Sequence, residues 1–148
     1  MDTLFAKCAL TLTRVSLGWL MFYAGITKVM NPAWSAEFYL KGAKTFGGFY
    51  NWLLSSSLMP AVNLTNAWGL TLLGISLIVG LGVRLSSMLG AVLMLLYYFP
   101  VLSFPYVGEH SYIVDDHIIY ALLLVFFAAA RVGRIWGLDK LHGMKWFG

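Results

Sequence analysis

From Phe46 to Val83 the chain reads FGGFYNWLLSSSLMPAVNLTNAWGLTLLGISLIVGLGV, with no Asp, Glu, Lys or Arg. Arg84 interrupts the run, and the next charge is Glu109. Soluble folds keep about a quarter of their residues charged, so two such gaps in succession leave little for water to wet. The rest of the chain agrees, with 60% of its 148 residues hydrophobic and 11% charged. A helix needs about 20 apolar residues to cross the hydrocarbon core. Four windows supply that length, at residues 10–30, 65–83, 85–104 and 113–132. The expected fold is therefore all-α, an integral membrane four-helix bundle, with residues 1–148 forming one domain. The first window is longer than a signal-peptide core and lacks a small-residue cleavage site, so it is expected to remain as a span.

The cations orient this bundle. Lys7, Arg14, Arg84, Arg131, Arg134, Lys140 and Lys145 fall on one side of the four spans, and Lys28, Lys41 and Lys44 on the other. The positive-inside rule then predicts a multi-pass protein of the cell membrane with both termini cytoplasmic. The basic balance serves orientation, and no nucleic-acid partner is expected. Trp136 and Trp146 are expected near the inner boundary, and Trp34, Trp52 and Trp68 near the outer one, as aromatic belts. Cys8 is the only cysteine, which rules out an intrachain disulfide or a CxxC redox pair. His110 and His117 belong to the outer side and His142 to the inner tail, so bis-histidine haem is not expected; nor is an intrinsic flavin or iron–sulfur cluster.

The connection 31–63 is rich in aromatics and leucines, with breaks at Gly47-Gly48 and Pro60. Two short interfacial helices in this outer loop fit that pattern, as a surface anchor or as a lid over a pocket. In the third span Pro100 should kink or end the helix and free carbonyls around Leu96 to Tyr98. In the second, Ser76 and Gly80 form a small-xxx-small step for close packing, with Gly69 above them.

Two polar stripes stand out. Arg14, Gly18, Met21, Gly25 and Lys28 share one face of the first helix. Arg14 and Lys28 either face a partner in the bundle or snorkel to the headgroups. On the fourth helix His117, Tyr120, Leu124, Phe127, Arg131 and Arg134 share a face, and Asp116 lies one position round from His117. An Asp116–Lys28 ion pair at the outer end is expected, with His117 exchanging protons beside it. Asp115 or Asp116 can alternatively serve as a helix cap. A metal reading through His110, Asp116 and His117 lacks a standard ligand spacing, and no metal is expected. At the inner end, Arg14, Arg131 and Arg134 are expected to be structural, with Arg131 or Arg134 pairing with Asp139.

The segments RVSLGWLMFYAGITK, LLGISLIVGLGVR, VDDHIIYALLL and RVGRIWGLDK, in this order, resemble the DoxX/DoxD family of small four-helix membrane proteins. WSAEFYLKGAK is similar to the thiosulfate:quinone oxidoreductase small-subunit branch. The resemblance implies a membrane subunit, in some members part of an enzyme that oxidises thiosulfate and passes electrons to a quinone; other members are accessory proteins. One departure is that the family often carries an acid before the glycine-rich part of the second span. Here Leu70 stands near that place, with Asn63 and Asn66 upstream.

The expected function is thus a membrane subunit of a quinone-linked oxidoreductase, with a second protein subunit and the lipid membrane as partners. Quinone is the expected electron acceptor, since it needs an apolar slot with aromatic walls and one or two polar groups. Lys28, Asp116 and His117 are the candidate catalytic residues, and Tyr23, Trp34, Tyr97 and Tyr120 the candidate quinone contacts. A thiosulfate anion would instead seek Lys28, Lys41 and Lys44. The competing reading is a non-catalytic scaffold or assembly subunit.

Overall fold

The computed structural model describes residues 3–140; the positions expected for His142, Lys145 and Trp146 lie outside them. Of the described residues 72% are helical. Its helices are α1 (Leu4–Val29), α2 (Glu37–Lys41), α3 (Gly47–Leu53), α4 (Met59–Val79), α5 (Val83–Val101) and α6 (Asp116–Ala130). Two 3-10 turns, Val132–Arg134 and Leu138–Lys140, follow. Between α5 and α6 lies an unanticipated antiparallel hairpin of β1 (Tyr106–Gly108) and β2 (Ser111–Tyr112). α1, α4 and α5 are long and apolar enough to cross a membrane, whereas α6 has only 15 residues. Their outward faces are as apolar as their inward ones: Leu12, Trp19, Leu72, Leu89 and Leu122 are all more than half exposed. Helices that are hydrophobic all round suit lipid as solvent, and this is a membrane protein.

α4 begins earlier than expected because Pro60 sits in its first turn, where the missing N–H has no helical partner to lose. Pro60 therefore starts a helix rather than breaking one. Pro100 acts as expected, since α5 ends at Val101. α6 stops at Arg131, whose backbone is left-handed (φ 49°), and this turns Arg131 outward and breaks the stripe expected to reach Arg134.

α1 packs along α4 and α5 along α6, and the pairs meet around Leu17, Met21, Leu73, Leu77, Leu124 and Phe127. The α1 stripe is buried as read, at Arg14, Gly18, Met21 and Gly25. Its partner on α4 differs from expectation. A Cβ on Gly25 would run into the Thr71 amide, and one on Gly74 into the Phe22 backbone. Gly74, not the Ser76–Gly80 step, thus sets the close approach. Ser76 instead pairs with the Ser86 hydroxyl at 2.6 Å across the turn into α5.

The end of the bundle holding Arg14 is closed by backbone capping. Arg14, 1% exposed, donates to the carbonyls of Val132 (2.9 Å) and Ile135 (3.2 Å) beyond the end of α6. Asp139, equally buried, accepts from the amides of Gly82 (2.7 Å) and Val83 (3.2 Å) at the start of α5. The expected pairing of Asp139 with Arg131 or Arg134 is not formed. Main-chain donors at a helix start satisfy the carboxylate, and Arg14, buried at the same end, supplies the opposite charge.

Candidate functional site

The opposite end of the bundle holds a cavity of about 450 Å³ where α1, α2, α4, α5 and α6 converge. Leu20, Met21, Leu70 and Met94 form much of its apolar wall, and Lys28, Asn66, Tyr97, His117 and Tyr120 bring polar atoms to it. Trp34, Ser35 and Tyr39 close it from the connection between α1 and α4.

Lys28 lies in the last turn of α1, on the face that the Gly25 contact holds against α4. Its ammonium donates to Asn66 Oδ1 at 2.8 Å. It also sits 4.9 Å from the Trp34 ring centroid and 5.5 Å from that of Tyr97. Aromatic faces and an amide oxygen solvate a cation without neutralising it. Among the described residues no carboxylate lies within ion-pair distance of Lys28. The expected Asp116–Lys28 pair is therefore absent: Asp116 is exposed in the first turn of α6 and does not line the cavity.

The carboxylate that matters is its neighbour. Asp115 Oδ2 lies 2.6 Å from His117 Nδ1, while Oδ1 accepts from the Ile118 amide at 3.2 Å as the N-cap of α6. A carboxylate can only accept, so the imidazole proton sits on Nδ1 and Nε2 is left as the basic atom. His117 stacks edge-on against Tyr97, with ring centroids 5.8 Å apart. The Tyr97 hydroxyl is buried with no protein hydrogen-bond partner.

Of the expected site residues, Lys28, His117, Trp34, Tyr97 and Tyr120 line this one cavity. Tyr23 does not; it is 62% exposed on the outer face of α1, because it falls between the buried positions Met21 and Gly25. The three lysines do not gather either. Lys41 is paired with Glu37 at 2.6 Å, and Lys44 is exposed. His110, on the β1–β2 turn, is exposed, and no cluster of three metal-ligating side chains occurs among the described residues. Asn66 was not among the expected site residues, and Asp115, expected only as a possible cap, is both the N-cap of α6 and the partner of His117. The signal for Asn66 was its place one turn before Leu70 in a helix with no charged side chain.

The cover over the site is fastened to the carbonyls at the end of α5. Leu96 loses its helical donor, and the Tyr50 hydroxyl replaces it at 3.0 Å. The Tyr39 hydroxyl donates to the Tyr97 carbonyl. Thr45 Oγ1 reaches the Leu102 carbonyl at 2.6 Å, and the Lys44 amide the Pro100 carbonyl at 2.9 Å. On the other side Asn63 Oδ1 accepts from the Ala36 amide at 2.9 Å. Burial first, then the charge of Asp115 and the neighbouring Tyr50, push the Tyr39 hydroxyl up to about 12, so it remains a donor at neutral pH.

A family model described as DoxX matches residues 9–102. The match takes in Lys28, Trp34, Asn66 and Tyr97 and stops before Asp115 and His117. No curated protein and no solved structure matches the chain.

Proposed function

The chain belongs to the DoxX family, and from that premise we propose that it is the membrane subunit of a quinone-linked oxidoreductase, with the quinone head group seated in the Lys28 cavity. In this reading α1, α4, α5 and α6 are four spans, α2 and α3 lie in the interface, and both termini face the cytoplasm of a cell membrane. α6 contributes about 22 Å of helix at 1.5 Å per residue, and its flanking segments complete the crossing.

One observation carries the reading: an ammonium without a counter-carboxylate and a carboxylate-held imidazole line the same apolar cavity. Quinone reduction takes two electrons and two protons. Lys28 offers a charged donor to a ring carbonyl, the unpartnered Tyr97 hydroxyl offers a neutral one, and His117 exchanges protons at Nε2 while Asp115 holds the ring. Electrons arrive from a second protein subunit. Thiosulfate is the donor in the branch that WSAEFYLKGAK resembles, and in this reading its oxidation belongs to that partner.

The scaffold reading draws support from one contact, since Asp115 also caps α6 and would be needed there without any chemistry. His117→Ala separates the two. It keeps the cap, and it should lower quinone-dependent turnover in native membranes about a hundredfold with an unchanged melting profile. Turnover equal to the parent's across about pH 5 to 8, the range in which an imidazole titrates, would assign the polar cluster to helix capping alone.

A further inference from the structure

A second cavity, of about 310 Å³, adjoins the first beneath α2 and α3. Ala36, Tyr39, Asn66 and Tyr97 line both, so the two share a wall, and that wall includes the acceptor of the Lys28 ammonium. Beyond the wall the chemistry changes. Leu40, Leu53, Leu58, Val62, Leu93 and Leu96 dominate the second cavity, and no Lys, Arg, His, Asp or Glu lines it. Each cavity alone falls within the range that ligand pockets occupy, about 300–1,000 Å³.

We infer that the second cavity binds the hydrocarbon tail of the ligand whose polar head lies at Lys28, so that the site takes an amphiphile rather than a tailless ring. The inference rests on the head-group reading above. Continuity argues for this occupant: the charged side chains stop short of the shared wall, and a mainly apolar chamber of ligand-binding size begins there. The roof argues for it too. The α2–α3 cover is tied down at Tyr39, Tyr50, Lys44 and Thr45, which gives the chamber a fixed ceiling and leaves its floor to α4 and α5. The Tyr39–Tyr97 contact, with ring centroids 6.2 Å apart, is part of the shared wall, and on this inference the tail passes beside it.

The test compares a tailless benzoquinone, the same ring with a short prenyl chain, and the ring with a longer one, titrated into purified protein in nanodiscs. Each apolar methylene withdrawn from water tightens binding roughly fourfold. Partition into lipid also favours the longer chains, so the reading is the ratio of tail gains between the parent and variants that fill the chamber. Val62→Trp fills it from the middle. Ala61→Phe, at an exposed rim position, is the milder second choice should Val62→Trp fail to fold. The expected result is a tail gain at least about tenfold larger in the parent, with tailless binding equal in all three proteins. Equal tail gains with intact tailless binding would place the chain in lipid and overturn this inference while leaving the head-group reading standing. Failure of every ring to bind the parent would remove both.

Discussion

Lys28 shows how a membrane protein can keep a cation at depth without an ion pair. Removing one partner of a buried charged hydrogen bond costs about 1.5–3 kcal/mol, because the charge remains and its solvation does not. Asn66→Leu should therefore lower stability by about that amount. In a Lys28→Met background the same change should cost much less, since no charge is left to solvate. Thermal melting of the four proteins of this cycle measures the difference, and equal costs in both backgrounds would remove Asn66 from the site. Helical spacing and the position of aromatics sufficed to group Lys28, Trp34, Tyr97, His117 and Tyr120, which line one cavity. It misassigned the acid because Asp115 and Asp116 are adjacent, and spacing alone does not say which is the cap. The extended backbone of Asp115 (φ −124°) turns its carboxylate back toward His117, a fact that belongs to the chain's entry into the helix and leaves no trace in periodicity.

At the scale of elements, the apolar windows were legible because lipid demands uninterrupted hydrophobic length, and proline placement explains the early start of α4 and the end of α5. Which faces meet was only half legible. The α1 stripe could be read because two cations and two glycines marked it, whereas nothing set Gly74 apart from Gly69 in the same helix. The tyrosine fastening of the α2–α3 cover was also hidden, because it joins residues far apart in the chain through carbonyls that only a Pro100-terminated helix leaves free. This fastening carries a pH signature. The folded protein holds the Tyr39 proton more tightly than the unfolded chain does, since its value lies above the ordinary 10.0. The resulting stabilisation is complete below pH 10 and is lost as pH rises toward about 12. Hydrogen exchange of α2 should accelerate over that window in the parent. In Tyr39→Phe it should be fast already at neutral pH and show no such step. A step of equal size in both proteins would separate the cover from Tyr39.

Across the whole molecule, the two ends do different work. At one, Arg14 and Asp139 are spent on backbone carbonyls and amides, which locks the last turns and the α4–α5 turn together. At the other, polar groups are left facing a cavity. The proposed orientation puts the end that holds Arg14 and Asp139 in the cytoplasm. In a Cys8→Ser background, a membrane-impermeant thiol reagent added outside intact cells should label Gly108→Cys and miss Lys140→Cys. The reverse labelling would invert the topology and put the cavity on the cytoplasmic side.

The central claim is that the Lys28 cavity is a quinone head-group site, and equilibrium titration of quinone into the purified chain and its Lys28→Met variant tests it most directly. Methionine keeps the length and apolar stem of lysine and removes only the charged donor. The account predicts saturable binding to the parent and a Kd weaker by about tenfold to a hundredfold in the variant, with both proteins folded by thermal melting. Identical titration curves for the two proteins would contradict it.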